Sequence, residues 1–444
     1  MNFPDASDYQ YSKVIISDVV LQSELVNTAI NITNAVTDFD VFEHIDKPYL
    51  TASVFIADTY GLYEMFGFLG GEQISLKIES TARDSVAVKK TFVVDYVSNL
   101  TQLHTGAIGF TLHLIEDIAY VSSLTNVNQS YEGTGSGIIT KMSLDYLGKS
   151  LSIFGADFQE KFKIIVPNMT PIEAMIWVKN KITNVDGMPF FLYSTFVGDL
   201  MNFQDLGTIL TRPAINEGKP LTNMQPTGSS ESYPGQRRTI KSYMFHETTP
   251  LHEIVKKGLV GASHGRINTL YGQNQTHEFN IYKDVIEKLE KKLSTKQNKF
   301  RDIHKFLLNG KSISELKSSR ITEVVGSGVY DNVKSFLPSY DEHTNRDDYK
   351  LQTVSKSVFE LLTRSPMEII VDGKDFMTGR DHFTIGNILS IDLLSSNLEL
   401  INNSTRSAVD RRRSGNYLIY SARHIFRKEG YDIRLSCVKV GDIE

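Results

Sequence analysis

Cysteine is nearly absent from this sequence. The single Cys437 among 444 residues excludes an intrachain disulfide, and it excludes a zinc or iron–sulfur site that needs several cysteines. A chain without disulfides is expected to be made and folded in a reducing cytosol. Because Cys437 lies on the inward-facing side of a predicted strand, we expect a core thiol and not a nucleophile.

The sequence also lacks long apolar runs and an excess of positive charge. No stretch approaches about 18 uninterrupted apolar residues, so no membrane-spanning helix is predicted. The polar first residues do not have the apolar centre of a secretory signal. Lys and Arg total 47 against 52 Asp and Glu, a formal net charge of −5. This balance argues against a dedicated nucleic-acid-binding protein, whose surface is normally basic.

Strand patterns dominate what the sequence does contain. Residues 74–79 alternate apolar and polar side chains after a turn at 70–71, which is the period of a half-buried strand. Similar runs at short spacing, separated by glycine-marked turns, predict a barrel or a sandwich. We therefore assign residues 1–124 to a first β-barrel.

Residues 125–238 have a mixed pattern and are predicted to form an α+β middle domain. The clearest helix start is Thr170, a capping residue followed by Pro171 and by a Glu173 placed for a capping box. The GTGSG at 133–137 lacks the Lys-Ser/Thr that a phosphate-binding P-loop needs. We interpret it as a flexible linker loop.

Strand patterns return at 239–284 and 353–444, which we assign to a second β-barrel. The charged block between them, 285–352, has apolar residues at helical spacing and is predicted to be a helical insertion. The predicted fold class is mainly β with an α+β middle domain. It comprises two barrels, a helix-containing domain and a helical insertion.

The two strand-rich regions share one order of features. Each has a glycine turn, an alternating strand, a connection, a long strand, a short turn and a final alternating strand. The corresponding segments are 70–79, 90–98 and 106–115 in the first region and 386–394, 416–427 and 431–440 in the second. The shared order predicts a duplicated module.

Scans for catalytic and metal-binding motifs fail. His246 and His252 are six residues apart, whereas a zinc-protease helix needs two histidines four apart. Ser414 does not lie in a G-x-S-x-G turn. Three further histidines are not spaced as a ligand set: His104, His382 and His424. We therefore assign no catalytic residue, no cofactor and no metal ligand.

Two charged features leave alternatives open. Arg411–Arg413, with Arg406 nearby, form the strongest charge cluster, which is either a solvated loop or a contact with an acidic neighbouring subunit. A cell-wall hydrolase would need two carboxylates flanking the scissile bond. The candidates for such a pair are arbitrary in sequence: Glu64, Glu72, Asp199 and Asp205.

The C-terminal half carries a recognisable order of motifs. Its segments are IKSYMFHETTPLHEIVKKGLVG (240–261), HEFNIY (277–282), 357–393 and SGNYLIYSARHIFRKEGYDIRLSCVKVG (414–441). TIGN at 384–387 precedes an alternating strand, and His424 lies six residues before the Gly430 turn. In the middle region a helix pattern precedes the strand pattern of 188–203. This order resembles the baseplate hub protein of contractile-tailed bacteriophages, and it is similar to the hub portion of type VI secretion spike proteins.

The resemblance implies a homotrimer in which each chain supplies two tube-like barrels. Three chains would present six barrels to a sixfold tail tube on one face and to a threefold central spike on the other. The implied partners are the spike protein, tail tube or tube-initiator proteins, the tape-measure protein and neighbouring baseplate wedge proteins, with DNA only in transit. The implied location is the tail baseplate of a virion that assembles in the host bacterial cytoplasm.

Two further expectations accompany this resemblance, and two alternatives stay open beside it. The hub and the spike are expected to be separate polypeptides, and the block 285–352 is expected to contact neighbouring baseplate proteins. A tail-associated hydrolase stays open as an alternative. A receptor- or carbohydrate-binding tail protein also stays open, with Tyr233 and Tyr271 as its loop aromatics.

Overall fold

The computed structural model describes most of the chain. The described residues are 14–23, 27–80, 87–104, 106–155, 162–216, 220–223, 239–246, 250–268, 273–287, 307–315, 319–325, 346–363, 366–373, 385–395, 409–410, 413–428 and 430–441. All structural statements below concern these residues.

Strands make up most of the regular structure. They are β1 Val14–Ser23, β2 Thr28–Asn31, β3 Val36–His44, β4 Thr51–Asp58, β5 Gln73–Ser80, β6 Val88–His104, β7 Ala107–Glu116, β8 Ser130–Gly133, β9 Leu151–Phe154, β10 Phe162–Ile165, β11 Phe190–Ser194, β12 Met201–Asp205, β13 Leu221–Thr222, β14 Ser242–Phe245, β15 Gly261–Asn268, β16 Gln273–Asn280, β17 Leu307–Leu308, β18 Lys311–Ser312, β19 Ser319–Val325, β20 Met367–Asp372, β21 Ile388–Asp392, β22 Gly415–Arg427 and β23 Gly430–Gly441.

Seven α-helices are described between them, and two single π-helical turns. The helices are α1 Leu62–Phe66, α2 Asp117–Ser123, α3 Gly135–Met142, α4 Pro171–Lys179, α5 Leu206–Leu210, α6 Leu251–Lys256 and α7 Arg346–Leu362. The π turns are Ser143–Leu147 and Tyr282–Ile286. Within the described part of the chain, no helix combines the length and apolarity needed to cross a membrane.

One large sheet contains thirteen strands and crosses both strand-rich regions. Its main path is β14-β20-β23-β22-β3-β4-β7-β6-β5-β1-β2, with β21 beside β22 and β13 beside β21. Every pairing is antiparallel except that of β13 with β21. The protein is therefore mainly β, as predicted, with a large antiparallel sheet. The division into two barrels at the predicted boundaries stays a prediction.

Alternation of apolar residues explains why these segments form a sheet with one buried face. In β4, Ala52, Val54 and Ile56 are buried, while the residues between them are half-buried. In β23, Cys437 is fully buried in the same way, as the strand pattern predicted. Burial raises the pKa of the Cys437 thiol, so this cysteine stays protonated and unreactive at neutral pH.

The middle region has a separate core. Helix α4 begins as predicted, because Thr170 Oγ1 accepts a hydrogen bond from the Glu173 backbone N–H and the Glu173 carboxylate accepts one from the Thr170 N–H. The helix packs against α3 and the small sheet β11-β12-β9. Its core contains Ile138, Met142, Met175, Val178, Leu192 and Phe203.

The GTGSG segment differs from the predicted flexible loop. Strand β8 ends at Gly133, and α3 begins at Gly135. Thr134 Oγ1 accepts a hydrogen bond from the Gly137 N–H at 3.3 Å, so the segment supplies the cap and first turn of a helix. The loop prediction was wrong because the buried side chains that follow, such as Ile139, stabilise a helix despite the glycines.

The block 285–352 is not the wholly helical insertion that its charge pattern predicted. Strand β19 pairs in parallel with β15, and β17 and β18 form a small hairpin. Helix α7 begins inside the block and continues past it, burying Val354 and Val358. Pairing with β15 satisfies the backbone groups of β19, and helical spacing in a charged sequence cannot reveal that partner. Residues 288–306, 316–318 and 326–345 lie outside the described residues.

We predict that G386A destabilises the protein more than G61A does. Both glycines have a left-handed backbone, with φ of 80° and 73°. A Cβ at Gly386 would overlap the Tyr193 hydroxyl, whereas a Cβ at Gly61 would meet no atom within 4 Å. The overlap adds about 1–3 kcal/mol to the shared backbone cost. Thermal unfolding midpoints of the two variants measure the difference, and equal midpoints would contradict the packing described.

Candidate assembly surface

The large sheet contains the same arrangement of strands twice. In the N-terminal set (β1 and β3–β7) the order is β3-β4-β7-β6-β5-β1, and in the C-terminal set (β13, β14 and β20–β23) it is β14-β20-β23-β22-β21-β13. The chain passes through both sets in the same sequence. Strands β5–β7 and β21–β23 fall on the segments in which the sequence predicted a duplication. The sets differ in their last pairing, since β1 is antiparallel to β5 and β13 is parallel to β21.

A shared irregularity supports the correspondence. The pairing of β6 with β7 shifts register between Val94 and Tyr96. The pairing of β22 with β23 shifts between Ile419 and Ser421. β-Bulges are specific features that are conserved within protein families. Bulges at equivalent positions in two strand sets therefore support a common architecture. The two sets are therefore structural repeats, and Tyr96 corresponds to Ser421.

The two repeats are joined edge to edge, in what we call the internal seam. The second half of β22, Ser421–Arg427, pairs with β3 from His44 to Asp38. Its first half, Gly415–Leu418, pairs instead with β21. Strand β22 thus changes its partner at the bulge. The pairing makes one continuous sheet from the two repeats.

Ion pairs cross the internal seam on one side of the sheet. Arg423 Nη2 lies 2.6 Å from Asp40 Oδ2, and Arg427 Nη1 lies 3.0 Å from Asp40 Oδ1. Arg427 Nε also lies 2.8 Å from Asp38 Oδ1. Asp40 is 6% exposed, so its two arginine contacts are shielded from solvent and fix the register of the seam.

A buried polar cluster crosses the internal seam on the core side. Glu43, 1% exposed, accepts a hydrogen bond from the Phe196 backbone N–H, and its Oε2 faces His424 Nε2 at 3.5 Å. His424 Nδ1 is hydrogen-bonded to the Tyr431 hydroxyl at 2.7 Å. Burial raises the pKa of Tyr431, which keeps this hydroxyl protonated and able to donate. The cluster ties both repeats to the loop after β11.

The face of the sheet that carries the arginines has charged side chains among half-buried apolar ones such as Phe42 and Ile425, and we call it the wall face. Half-buried residues on β23 alternate with buried ones, which places Asp432 and Arg434 on the same face as Arg423. Arg434 Nη1 lies 3.4 Å from Glu368 Oε1, and Lys241 pairs with Asp432. On the described part of the wall face, Arg423, Arg427, Arg434 and Lys241 are therefore each paired with a carboxylate.

In the described part of the large sheet, neither the outer edge of β14 nor the edge of β6 beyond its bulge has a second strand beside it. Strand β14 pairs only with β20. Beyond its bulge, β6 pairs only with β7, because β5 covers no residue after Val93. Large apolar side chains are exposed along both edges: Tyr96, Leu100 and Leu103 on β6, and Tyr243 and Met244 on β14. Unpaired edges of this kind are normally covered, since they invite pairing with another chain.

Of the four carboxylates considered for a hydrolase, two are buried and bind backbone N–H groups, and two are exposed. Glu72 accepts backbone N–H bonds from the loop before it, at 2.9 and 3.2 Å. Asp205 caps α5 and accepts from Asn184 at 2.7 Å. Glu64 is exposed on α1, and Asp199 is exposed beside Lys90. The four lie on different elements, and the two buried ones are engaged in fixing local backbone.

The remaining sequence candidates are dispersed. His246 follows β14, with Nε2 4.0 Å from Glu368 Oε2, and His252 lies on α6. Ser414 is buried, and its hydroxyl accepts from the Leu393 N–H at 2.8 Å. Four arginine and histidine candidates and two tyrosines lie outside the described residues: Arg406, Arg411, Arg412, His382, Tyr233 and Tyr271. No group of three or more potential metal ligands occurs in the part that the structure describes.

Only His424, among the residues singled out in sequence, belongs to the internal seam. Asp40, Glu43, Arg423 and Arg427 were missed. One signal was present, because Glu43 continues the apolar series Phe39 and Val41 on the buried face of β3. A carboxylate in such a position needs a buried partner.

We predict that E43A destabilises the protein more than D38A. E43A leaves the Phe196 N–H buried without its acceptor, which costs about 1–3 kcal/mol. D38A removes a half-exposed carboxylate from the same strand, and such pairs contribute about 0–1 kcal/mol. Thermal unfolding and protease resistance of the two variants make the comparison. Similar losses in both would show that the buried cluster does not hold the seam.

Known proteins resemble this chain in structure but not in sequence. No protein-family model matches the sequence, and no curated protein sequence matches it either. Similar solved structures include the 43 kDa tail protein of prophage MuSo2 from Shewanella oneidensis, with a TM-score of 0.51 at 9% identity over 95% of this chain and 98% of that chain. The tail protein from Neisseria meningitidis MC58 gives 0.49 at 11% over 95% and 96%. The E. coli c3393 protein, a type VI secretion component, gives 0.39 at 7% over 96% and 76%.

The likeness to the MuSo2 tail protein covers nearly the whole of both chains. At 9% identity it shows the shared fold alone. The resemblance to tail proteins that the motif order predicted is confirmed at this level. The chain has the fold of a phage tail protein.

Proposed function

We propose that this chain is the structural baseplate hub of a contractile phage tail. In this role it is a homotrimer that joins a sixfold tail tube to a threefold central spike. The observation that carries the proposal is the internal seam, which sets two structural repeats side by side in one sheet. Three chains with two repeats each supply six equivalent units.

The open edges support a closed ring. The seam joins unlike edges, since the β22 edge of one repeat meets the β3 edge of the other. Head-to-tail contacts of this kind close into rings when the rotation fits. The free β14 edge and the free β6 edge leave each chain with one unlike edge at either end of its pair of repeats. A ring of three chains would cover both.

The wall face supports a channel for DNA in transit. A basic wall would bind phosphates and release counterions, which would hold DNA in place. Arg423, Arg427 and Arg434 are instead paired with carboxylates of neighbouring strands. The formal net charge of −5 agrees with a wall that does not retain DNA.

The proposed partners follow from this role. They are the central spike protein, tail tube or tube-initiator proteins, the tape-measure protein and neighbouring wedge proteins. The proposed location is the tail baseplate of a virion assembled in the host bacterial cytoplasm. The fold shared with the MuSo2 tail protein supports a structural role in a tail.

The proposed organisation keeps the domain division made from sequence. Residues 1–124 would form the first tube-like barrel, 125–238 the middle domain, and 239–284 with 353–444 the second barrel. The separate core of the middle region supports its assignment as a distinct unit.

We predict that the purified chain forms a trimer. Its mass in solution is expected to be three times 50.0 kDa, because the apolar edges of β6 and β14 are covered only when copies associate. Analytical ultracentrifugation over a range of protein concentrations measures this mass, with and without a co-expressed spike protein from the same tail. A strict monomer in both samples would contradict the proposal.

A further inference from the structure

We propose that an external seam joins copies of this chain, in which β6 beyond its bulge pairs antiparallel with β14 of a second copy. This inference rests on the proposed function and names the surface through which the trimer forms. The internal seam is its template. What joins β22 to β3 within one chain would join β6 to β14 between chains.

The template follows from the correspondence of the repeats. Strand β22 corresponds to β6, and β3 corresponds to β14. In the internal seam β22 uses only the half that follows its bulge. The equivalent half of β6, Tyr96–Leu103, has no second strand beside it among the described residues. Each strand of the external seam is therefore open at the position where its counterpart is paired.

Strand β2 lies at the other end of the sheet path. It pairs with β1 alone and consists of Thr28–Asn31. The C-terminal repeat contains no described counterpart of β2, so the internal seam gives no template for its pairing.

The repeats also give a register. Tyr96 corresponds to Ser421 at the bulges, and Phe245 corresponds to Val41 through the pairings with β20 and β4. Ile425 faces Asp40 in the internal seam. Counting along β6 from the bulge places Leu100 opposite Met244, and counting through the β7 pairing, in which Gly109 corresponds to Asp432, places the adjacent Thr101 there. A second irregularity in β6 between Ser98 and Thr101 allows this register to shift locally.

The internal seam is held by ion pairs within one chain, whereas the external seam would be held by apolar side chains between chains. In the internal seam Asp40 lies between Arg423 and Arg427. Both strands of this seam belong to one chain, so their pairing is intramolecular. The external seam would bring together Leu100, which is 52% exposed, and Met244, which is 57% exposed. Burying apolar side chains favours association of copies and is little affected by salt.

The direct test is cross-linking of L100C/M244C. The native Cys437 is buried, so a short bismaleimide, which tolerates a shift of one residue, reacts at the two new sites. We expect covalent dimers and trimers on a denaturing gel, with no larger species, because a closed ring of three leaves no free edge. The single variants L100C and M244C control for random contact.

In a matched control pair, the cysteine at position 100 of β6 is moved to an exposed position that is not on a strand edge. Leu124 is 71% exposed and follows α2, so L124C/M244C is expected to give no trimer band. If L100C/M244C gives no covalent product while ultracentrifugation shows a trimer, the external seam is wrong and the hub proposal stands. If the chain is a monomer, the hub proposal itself falls.

Charge exchange tests the same contact without cross-linking. L100K and M244E each place an unpartnered charge in the seam, and each is expected to weaken trimer formation by about tenfold or more. Both sites are exposed in the single chain, so folding is spared, which circular dichroism checks. The double variant L100K/M244E is expected to recover most of the association at low salt. Loss in the singles without recovery in the double variant would overturn the pairing.

Discussion

The pairing of β22 with β3 is the constraint on which the rest of this structure depends. It makes two repeats into one sheet, so that the position of one repeat determines the position of the other. Without it the chain would contain two strand sets with four open edges. With it, the unlike edges of β14 and β6 are the two described edges that have a counterpart in the internal seam, and the wall face becomes continuous across the two repeats.

Both faces of the sheet contribute to that pairing in different ways. On the wall face, Asp40 is held between two arginines. On the core side, Glu43, His424 and Tyr431 form a buried cluster that also includes the Phe196 N–H of the middle region. Glu43 has a partner in the Phe196 N–H, and His424 has one in the Tyr431 hydroxyl. A change of register would bury these groups without those partners, which is costly, so the cluster favours one register over its neighbours. The seam is thus specified more strongly than apolar packing alone would achieve.

Sequence patterns predicted what depends on neighbours along the chain. The capping box at Thr170, the alternating strands of both repeats and the burial of Cys437 all follow from local periodicity or capping chemistry. The internal seam could not be predicted in this way, because Asp40 and Arg423 are 383 positions apart. The sequence of neither strand indicates which strand it pairs with. The same reason accounts for β19, whose partner β15 lies about 50 residues earlier in the chain and whose charged surroundings favoured a helix. Glu43 on a buried strand face was the one local sign of a distant contact.

The central claim is that this chain builds a ring in which six similar units come from three copies. Electron micrographs of the purified, non-cross-linked protein, averaged in end-on view, test this claim most directly. We predict a ring of six lobes around an open centre, with threefold symmetry because the middle region accompanies each pair of repeats. Averages that show isolated particles, or rings with another number of lobes, would contradict it.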